Sequence, residues 1–111
     1  MPKRRLCALA DLDATGARSL TVTLDGRPTD LFVVRRDGAV YAYVDRCPHA
    51  GTPLAWAEHE YLDEDGEHLI CATHGALFDI ATGACRGGPC RGAGLTPLPV
   101  VVEDDAVWLL A

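Results

Sequence analysis

No apolar run in this 111-residue chain approaches the roughly 20 residues that a membrane-crossing helix needs. The basic start Met1-Pro2-Lys3-Arg4-Arg5 mimics the opening of an export signal. Only Leu6 to Ala10 follow before Asp11 and Asp13, too short for the apolar part of such a signal. Positive charge is scarce. Ten Lys and Arg against sixteen Asp and Glu leave a formal net charge of −6, the wrong sign for binding a phosphate backbone. The chain has no internal repeat, no low-complexity tract and no interdomain linker. Five cysteines, an odd number, do not close a disulfide framework and fit a reducing compartment. These absences argue against a membrane or nucleic-acid partner and lead us to expect a cytoplasmic protein. The length sets one domain, residues 1–111, and an apolar share of 49% is enough for a modest core.

What is present is a succession of short strands and turns. Asp25-Gly26, Asp37-Gly38 and Asp65-Gly66 each lie between β-prone runs, the strongest short hairpin signal a sequence carries. The register about Asp37-Gly38 sets Val34 opposite Tyr41 and Phe32 opposite Tyr43, an aromatic face suited to a core. The register about Asp65-Gly66 sets Leu62 opposite Leu69 and Tyr61 opposite Ile70, which leads directly into Cys71. Thr82-Gly83 closes a further hairpin with Asp79 facing Arg86, and Leu98–Val102 with Ala106–Leu110 forms a last one about Asp104-Asp105. Only Leu54 to Glu60 offers a short helical turn, and Pro53 weakens it. The glycine-rich stretch from Gly87 to Gly94 reads as a loop. The fold class is therefore all-β, built of antiparallel sheets.

Two short segments concentrate the metal-binding side chains. Cys47-Pro48-His49 and Cys71-Ala72-Thr73-His74 each pair one cysteine with one histidine, whereas no other cysteine has a histidine nearby. A pair of such loops supplies two thiolates and two imidazoles. That is the ligand set of a Rieske 2Fe–2S centre, where His replaces Cys on one of the two irons. Zinc accepts the same donors, but the single residue between Cys47 and His49 is tighter than the usual zinc spacing of two to four.

The flanks of these segments extend the pattern. His49-Ala50-Gly51-Thr52-Pro53-Leu54 and His74-Gly75-Ala76-Leu77-Phe78-Asp79 resemble the two ligand loops of the Rieske iron–sulfur family, whose pattern is C-x-H followed by C-x-x-H. Thr82-Gly83 through Gly87-Gly88-Pro89 is similar to the family's third, proline-bearing loop. The similarity runs from about Val40 to the C-terminus. It implies a Rieske-type iron–sulfur fold with a smaller cluster-binding lobe at about residues 46–93. It also implies one 2Fe–2S cluster per chain, with Cys47 and Cys71 on one iron and His49 and His74 on the other. Pro48, Gly51, Gly75 and Pro89 would shape the loops around it, Gly51 and Gly75 by letting backbone amides approach the sulfides.

Departures from the family's high-potential members are informative. Those carry an extra disulfide between the loops, where this chain has Thr52 and Thr73. They also donate hydrogen bonds to sulfur from a Ser and a Tyr, where this chain has Ala76 and Phe78. The resemblance is therefore to the low-potential ferredoxins that pass electrons from a reductase to an oxygenase. On this reading the chain is an electron-transfer component of an oxidoreductase system, with no catalytic domain of its own. The alternative is a tightly bound Rieske-fold small subunit of a larger oxidoreductase such as a nitrite reductase.

The remaining reactive side chains have plainer readings. Cys7 lies in the first expected strand and reads as a small buried hydrophobe. Cys85 and Cys90 are close enough for a disulfide, which a reducing compartment disfavours. His59, His68 and Asp63 could be forced into a two-His-one-carboxylate iron site, but the hairpin register makes Asp63 and His68 a surface pair. Trp56 and Trp108 read as packing residues. Six acidic residues between Glu58 and Glu67 could steer the chain toward a basic redox partner, although a solvated turn explains them equally.

Overall fold

The computed structural model describes residues 3–13, 15–46, 54, 59–63, 66–71, 75–87 and 94–110. Among them, ten strands form three antiparallel sheets, with one 3-10 turn and no α-helix. The strands are β1 (Lys3–Ala8), β2 (Ala17–Leu24), β3 (Arg27–Arg36), β4 (Ala39–Val44) and β5 (His68–Ile70). They continue with β6 (Leu77–Asp79), β7 (Cys85–Gly87), β8 (Pro97–Leu98), β9 (Val100–Glu103) and β10 (Ala106–Leu110). Sheet order is β1-β10-β9, β2-β3-β4-β8 and β5-β6-β7. No helix among the described residues is long and apolar enough to cross a membrane.

The hairpins follow the turn chemistry. Asp25-Gly26 and Asp37-Gly38 both have positive φ at both positions, 51° and 77° in the first and 52° and 80° in the second. Left-handed pairs of this kind match the twist of the strands they join. Asp104 and Asp105, at 51° and 58°, make the same turn without a glycine. The registers Val34↔Tyr41, Phe32↔Tyr43 and Leu62↔Leu69 are those expected from the sequence, and Ile70 donates its N–H to the Tyr61 carbonyl at 2.8 Å.

Three expectations need correction. The run Leu98–Val102 is not one strand. Pro99 cannot donate to a ladder, so β8 ends before it and joins β4, while β9 begins after it and joins β10. In the hairpin around Thr82-Gly83 Asp79 faces Ala84, not Arg86: it donates its N–H to the Ala84 carbonyl at 2.9 Å, and a bulge follows where Phe78 pairs with Cys85 and Leu77 with Gly87, although Arg86 still reaches Asp79 at 3.7 Å. The 3-10 turn Leu9–Leu12 was not anticipated. It starts where Asp11 Oδ2 accepts the Ala8 N–H at 3.0 Å. The helical turn expected at Leu54–Glu60 lies mostly outside the described residues.

Two cores share one strand. Leu31 and Val33 of β3 join Leu6, Cys7, Leu12, Ala42, Val107 and Leu109 between the four-stranded sheet and the β1-β10-β9 sheet. Phe32 and Val34 point the other way, into a core with Tyr43, Tyr61, Leu69, Phe78 and Ile80 that joins the β5-β6-β7 sheet to the rest. Leu31-Phe32-Val33-Val34 is thus a continuous apolar run because both faces of β3 are dry. Trp108 does not belong to either core. It is half-buried, donates its indole N–H to the Glu103 carbonyl at 3.1 Å and lies under Lys3, whose ammonium is 5.0 Å from the ring centroid.

Tyr43 is the main polar tie across the second core. Fully buried, it donates its hydroxyl to the Ile80 carbonyl at 2.6 Å, and its ring presses on Gly83. A Cβ at Gly83 would sit 2.8 Å from Tyr43 Cε1 and 3.3 Å from Leu95 Cβ, with φ already at +75°. Gly83→Ala should therefore destabilise by about 1–3 kcal/mol from backbone strain, with displacement of Tyr43 added. Gly26→Ala has a similar φ of +77° and nothing within 4 Å, so it should lose less. Urea unfolding of the two variants side by side checks the difference, and equal losses would show that Tyr43 does not constrain the turn.

Burial pushes the Tyr43 hydroxyl up to about 12, with Asp79 and Tyr41 adding to the shift. The unfolded chain releases that proton near 10, so the contribution is fully present below about pH 10 and is lost as pH rises through 12. Tyr43→Phe should lower stability at neutral pH and also flatten the loss between pH 10 and 12. Denaturant midpoints across that range for both proteins measure it, and parallel curves would contradict the assignment.

Candidate functional site

The second ligand segment grows directly out of β5. Cys71 follows Ile70, and β5 is flanked by β6 on one side and by the Tyr61–Leu62 segment on the other. Behind Cys71 the chain folds back on itself. Cys71 donates its N–H to the Ala76 carbonyl at 2.9 Å, and Gly75 donates its N–H to the Cys71 carbonyl at 2.9 Å. Gly75 has φ +69°, a conformation that favours glycine. The Cys71 thiol is free and fully buried. Ala76 and Phe78 are likewise fully buried in the same core, and neither side chain offers a hydrogen-bond donor.

The first candidate segment, Cys47 to His49, lies in the chain between Asp45 and Leu54. Leu54 donates its N–H to Asp45 Oδ1 at 2.9 Å. Asp45 Oδ2 accepts the Tyr61 hydroxyl at 2.6 Å. Tyr61 is fully buried and stacked on Phe32, with ring centroids 4.2 Å apart and planes at 18°. Burial and the bond to Asp45 both raise its pKa above the usual tyrosine value. The sequence alone assigned Tyr61 only a cross-strand neighbour and Asp45 no role. The signal available was their position, Asp45 two residues before Cys47 and Tyr61 in the insert between the two segments.

Of the expected ligands and loop residues, Cys71 and Gly75 are therefore placed. Cys47, Pro48, His49, Gly51, His74 and Pro89 lie outside the described residues, as do Thr52, Thr73, Trp56 and Cys90. The described residues alone bring no three potential ligands together.

The other candidates resolve into structure. His59 Nδ1 accepts the Ser19 N–H at 2.8 Å, and Asp63 caps its own turn by accepting the N–H groups of Glu67 and His68 at 3.0 and 3.3 Å. His68 Nδ1 lies 3.5 Å from Asp63 Oδ2, the surface pair that the register indicated. With His59 facing β2, the three do not form a facial iron site. Cys7 is buried and free, as expected of a core thiol. Cys85 departs from expectation: it is disulfide-bonded, with its partner outside the described residues.

The Rieske [2Fe-2S] domain family model matches residues 3–102. Among solved structures, the ferredoxin of Sphingomonas yanoikuyae B1 is 30% identical with a TM-score of 0.72, covering 97% of this chain and 97% of its own. The ferredoxin of carbazole 1,9a-dioxygenase from Nocardioides aromaticivorans IC177 is 26% identical with a TM-score of 0.75, covering 98% of this chain and 97% of its own. A structure named for the small subunit of an NADPH nitrite reductase is 26% identical with a TM-score of 0.69, and the match covers all of both chains. No curated protein sequence matches the chain.

Proposed function

This chain belongs to the Rieske 2Fe–2S family, is an electron carrier and has a 2Fe–2S cluster as its cofactor; on that premise we propose that it is the ferredoxin component of an oxygenase system. It would receive single electrons from a reductase and deliver them to an oxygenase or a similar acceptor. The observation that carries this reading is the match to two ferredoxins over nearly their whole length, one of them the ferredoxin of a dioxygenase. Another similar structure is a complex of oxygenase and ferredoxin in carbazole 1,9a-dioxygenase.

We assign the cluster to Cys47 and Cys71 on one iron and to His49 and His74 on the other. Cys71 fits the role, being free, fully buried and set at the head of a closed turn. When bound, the cluster supplies a one-electron store. Cys71 would bind as a thiolate, and the imidazoles of His49 and His74 would each bind through one ring nitrogen. Pro48, Gly51, Gly75 and Pro89 would shape the surrounding loops, and the left-handed Gly75 turns the chain directly after His74. Ala76 and Phe78 exclude water from this side of Cys71 while donating nothing.

The second reading, a Rieske-fold small subunit, is favoured by the end-to-end match to the nitrite reductase small subunit. A diffusing carrier and a fixed subunit behave differently. Purification at native abundance should yield a free chain that a flavin reductase reduces with saturable kinetics. Stable co-purification with a large catalytic subunit would favour the second reading instead.

Iron and sulfide analysis should give about two of each per chain. His49→Ala or His74→Ala should abolish or convert the visible and electron-paramagnetic spectra, whereas His68→Ala should leave them alone. An unchanged spectrum in either of the first two would remove that residue from the ligand set.

The donorless pair at Ala76 and Phe78 sets the expected potential. Hydrogen bonds to sulfur stabilise the reduced, more negative cluster, so their absence places the midpoint nearer about −150 than about +300 mV within the Rieske range. Ala76→Ser and Phe78→Tyr should each raise it. A redox titration of the wild type that returned a midpoint well above zero would overturn this account of the surroundings.

A further inference from the structure

We propose that Asp45 is a positioning residue for the first ligand loop, tying the two ends of that loop together and suspending them through Tyr61 from the β2–β3 sheet. The inference rests on the ligand assignment above, in that Cys47 and His49 lie between Asp45 and Leu54 in the chain.

The bonding leaves Asp45 little freedom. Its N–H donates to the Asp30 carbonyl at 2.9 Å, which fixes the backbone to β3. One carboxylate oxygen takes the Leu54 N–H at 2.9 Å and the other takes the Tyr61 hydroxyl at 2.6 Å. Accepting at both oxygens is what an ionised carboxylate does, since it has no proton to donate. The Tyr61 proton is committed to Asp45, so the 2.6 Å contact between Ser19 Oγ and Tyr61 Oη has Ser19 as donor. Ser19 Oγ in turn accepts the His59 N–H at 3.3 Å. A single chain of donors thus runs from the insert, through β2, to the carboxylate that closes the ligand loop.

The surroundings favour rigidity. The Tyr61 ring is fully buried against Phe32, and hydrogen bonds beside such a dry core are stronger than in water. Removing the Asp45 carboxylate deprives the buried Tyr61 hydroxyl of its acceptor. If Cys47 holds the cluster, the charge of Asp45 two residues earlier in the chain would disfavour the added electron.

Three variants separate these effects. Asp45→Asn removes the charge and leaves one side-chain oxygen for two donors. Asp45→Glu keeps the charge and displaces it by one methylene. Leu109→Ala, in the other core, destabilises the fold without touching the network. For Asp45→Asn we expect a higher midpoint potential, shifted g-values in the reduced protein and Leu54 amide exchange accelerated at least about fivefold. Asp45→Glu should shift the g-values and speed exchange, with a smaller change in potential. Leu109→Ala should lower the unfolding midpoint while leaving the g-values and potential at wild-type values.

If Asp45→Asn and Asp45→Glu keep the wild-type g-values, potential and Leu54 exchange, Asp45 does not position the loop. The proposal fails equally if Leu109→Ala moves the spectrum as far as they do, because general destabilisation would then explain the effect. A wild-type protein without the Rieske signal would instead overturn the ligand assignment, and Leu54 exchange would still report whether Asp45 closes the loop.

Discussion

Everything in this fold depends on β3 being dry on both faces. Four consecutive residues, Leu31, Phe32, Val33 and Val34, are fully buried, each contributing on the order of 1.5–3 kcal/mol by leaving water. Because side chains alternate along a strand, the odd positions build one core and the even positions the other. A register slip of one residue would exchange the two sets. Leu31 and Val33 would then meet the tyrosines, and Phe32 would be driven against Leu109 and Val107. The strand consequently fixes how the β5-β6-β7 sheet sits against the rest, and with it where Cys71 lies.

The two tyrosines on the inner face convert that packing into direction. Hydrophobic contact is non-directional, so Phe32 against Phe78 and Leu69 would tolerate some sliding. A buried hydroxyl does not, since losing its partner costs about 1–3 kcal/mol. Tyr43 pins Ile80, just past the second ligand segment, and Tyr61 pins Asp45, just before the first. Both hydroxyls are held on rings whose burial is enforced by the same β3 face. Asp45 and Ile80, which flank the two proposed ligand segments in the chain, are therefore both referred to the same β3 face.

How much of this could be read from the sequence varies by element. Hairpins about Asp25-Gly26 and Asp37-Gly38 were legible because left-handed turn pairs demand those residues, and the register then followed by counting. Asp104-Asp105 was legible from its neighbours rather than from its own residues, since it turns without a glycine. The break at Pro99 was visible as a proline but its consequence, a change of sheet, depends on which edge β4 leaves free. The bulge at Cys85–Arg86 has no local signature. The candidate ligand segments Cys47-Pro48-His49 and Cys71 through His74 stood out because loop-borne ligands come close together in sequence. Asp45 and Tyr61 did not, because a carboxylate and a phenol sixteen residues apart meet only after β3 has chosen its faces.

The insert between the ligand segments shows the same economy of parts. Its acidic character invites a docking role, yet Asp63 is occupied with the backbone of its own turn and with His68. His59 occupies the outer edge of the four-stranded sheet, where its ring nitrogen takes the Ser19 N–H. An exposed strand edge is a template for unwanted pairing, and here a histidine with φ +66° covers it. Thr15 reinforces the contact, with its hydroxyl 2.7 Å from the His59 carbonyl. The insert thus protects β2 and delivers Tyr61 to Asp45 in the same stroke. Before Cys71 the described part of the insert meets the β2 edge at His59 and then pairs with Leu69 and Ile70 through Leu62 and Tyr61.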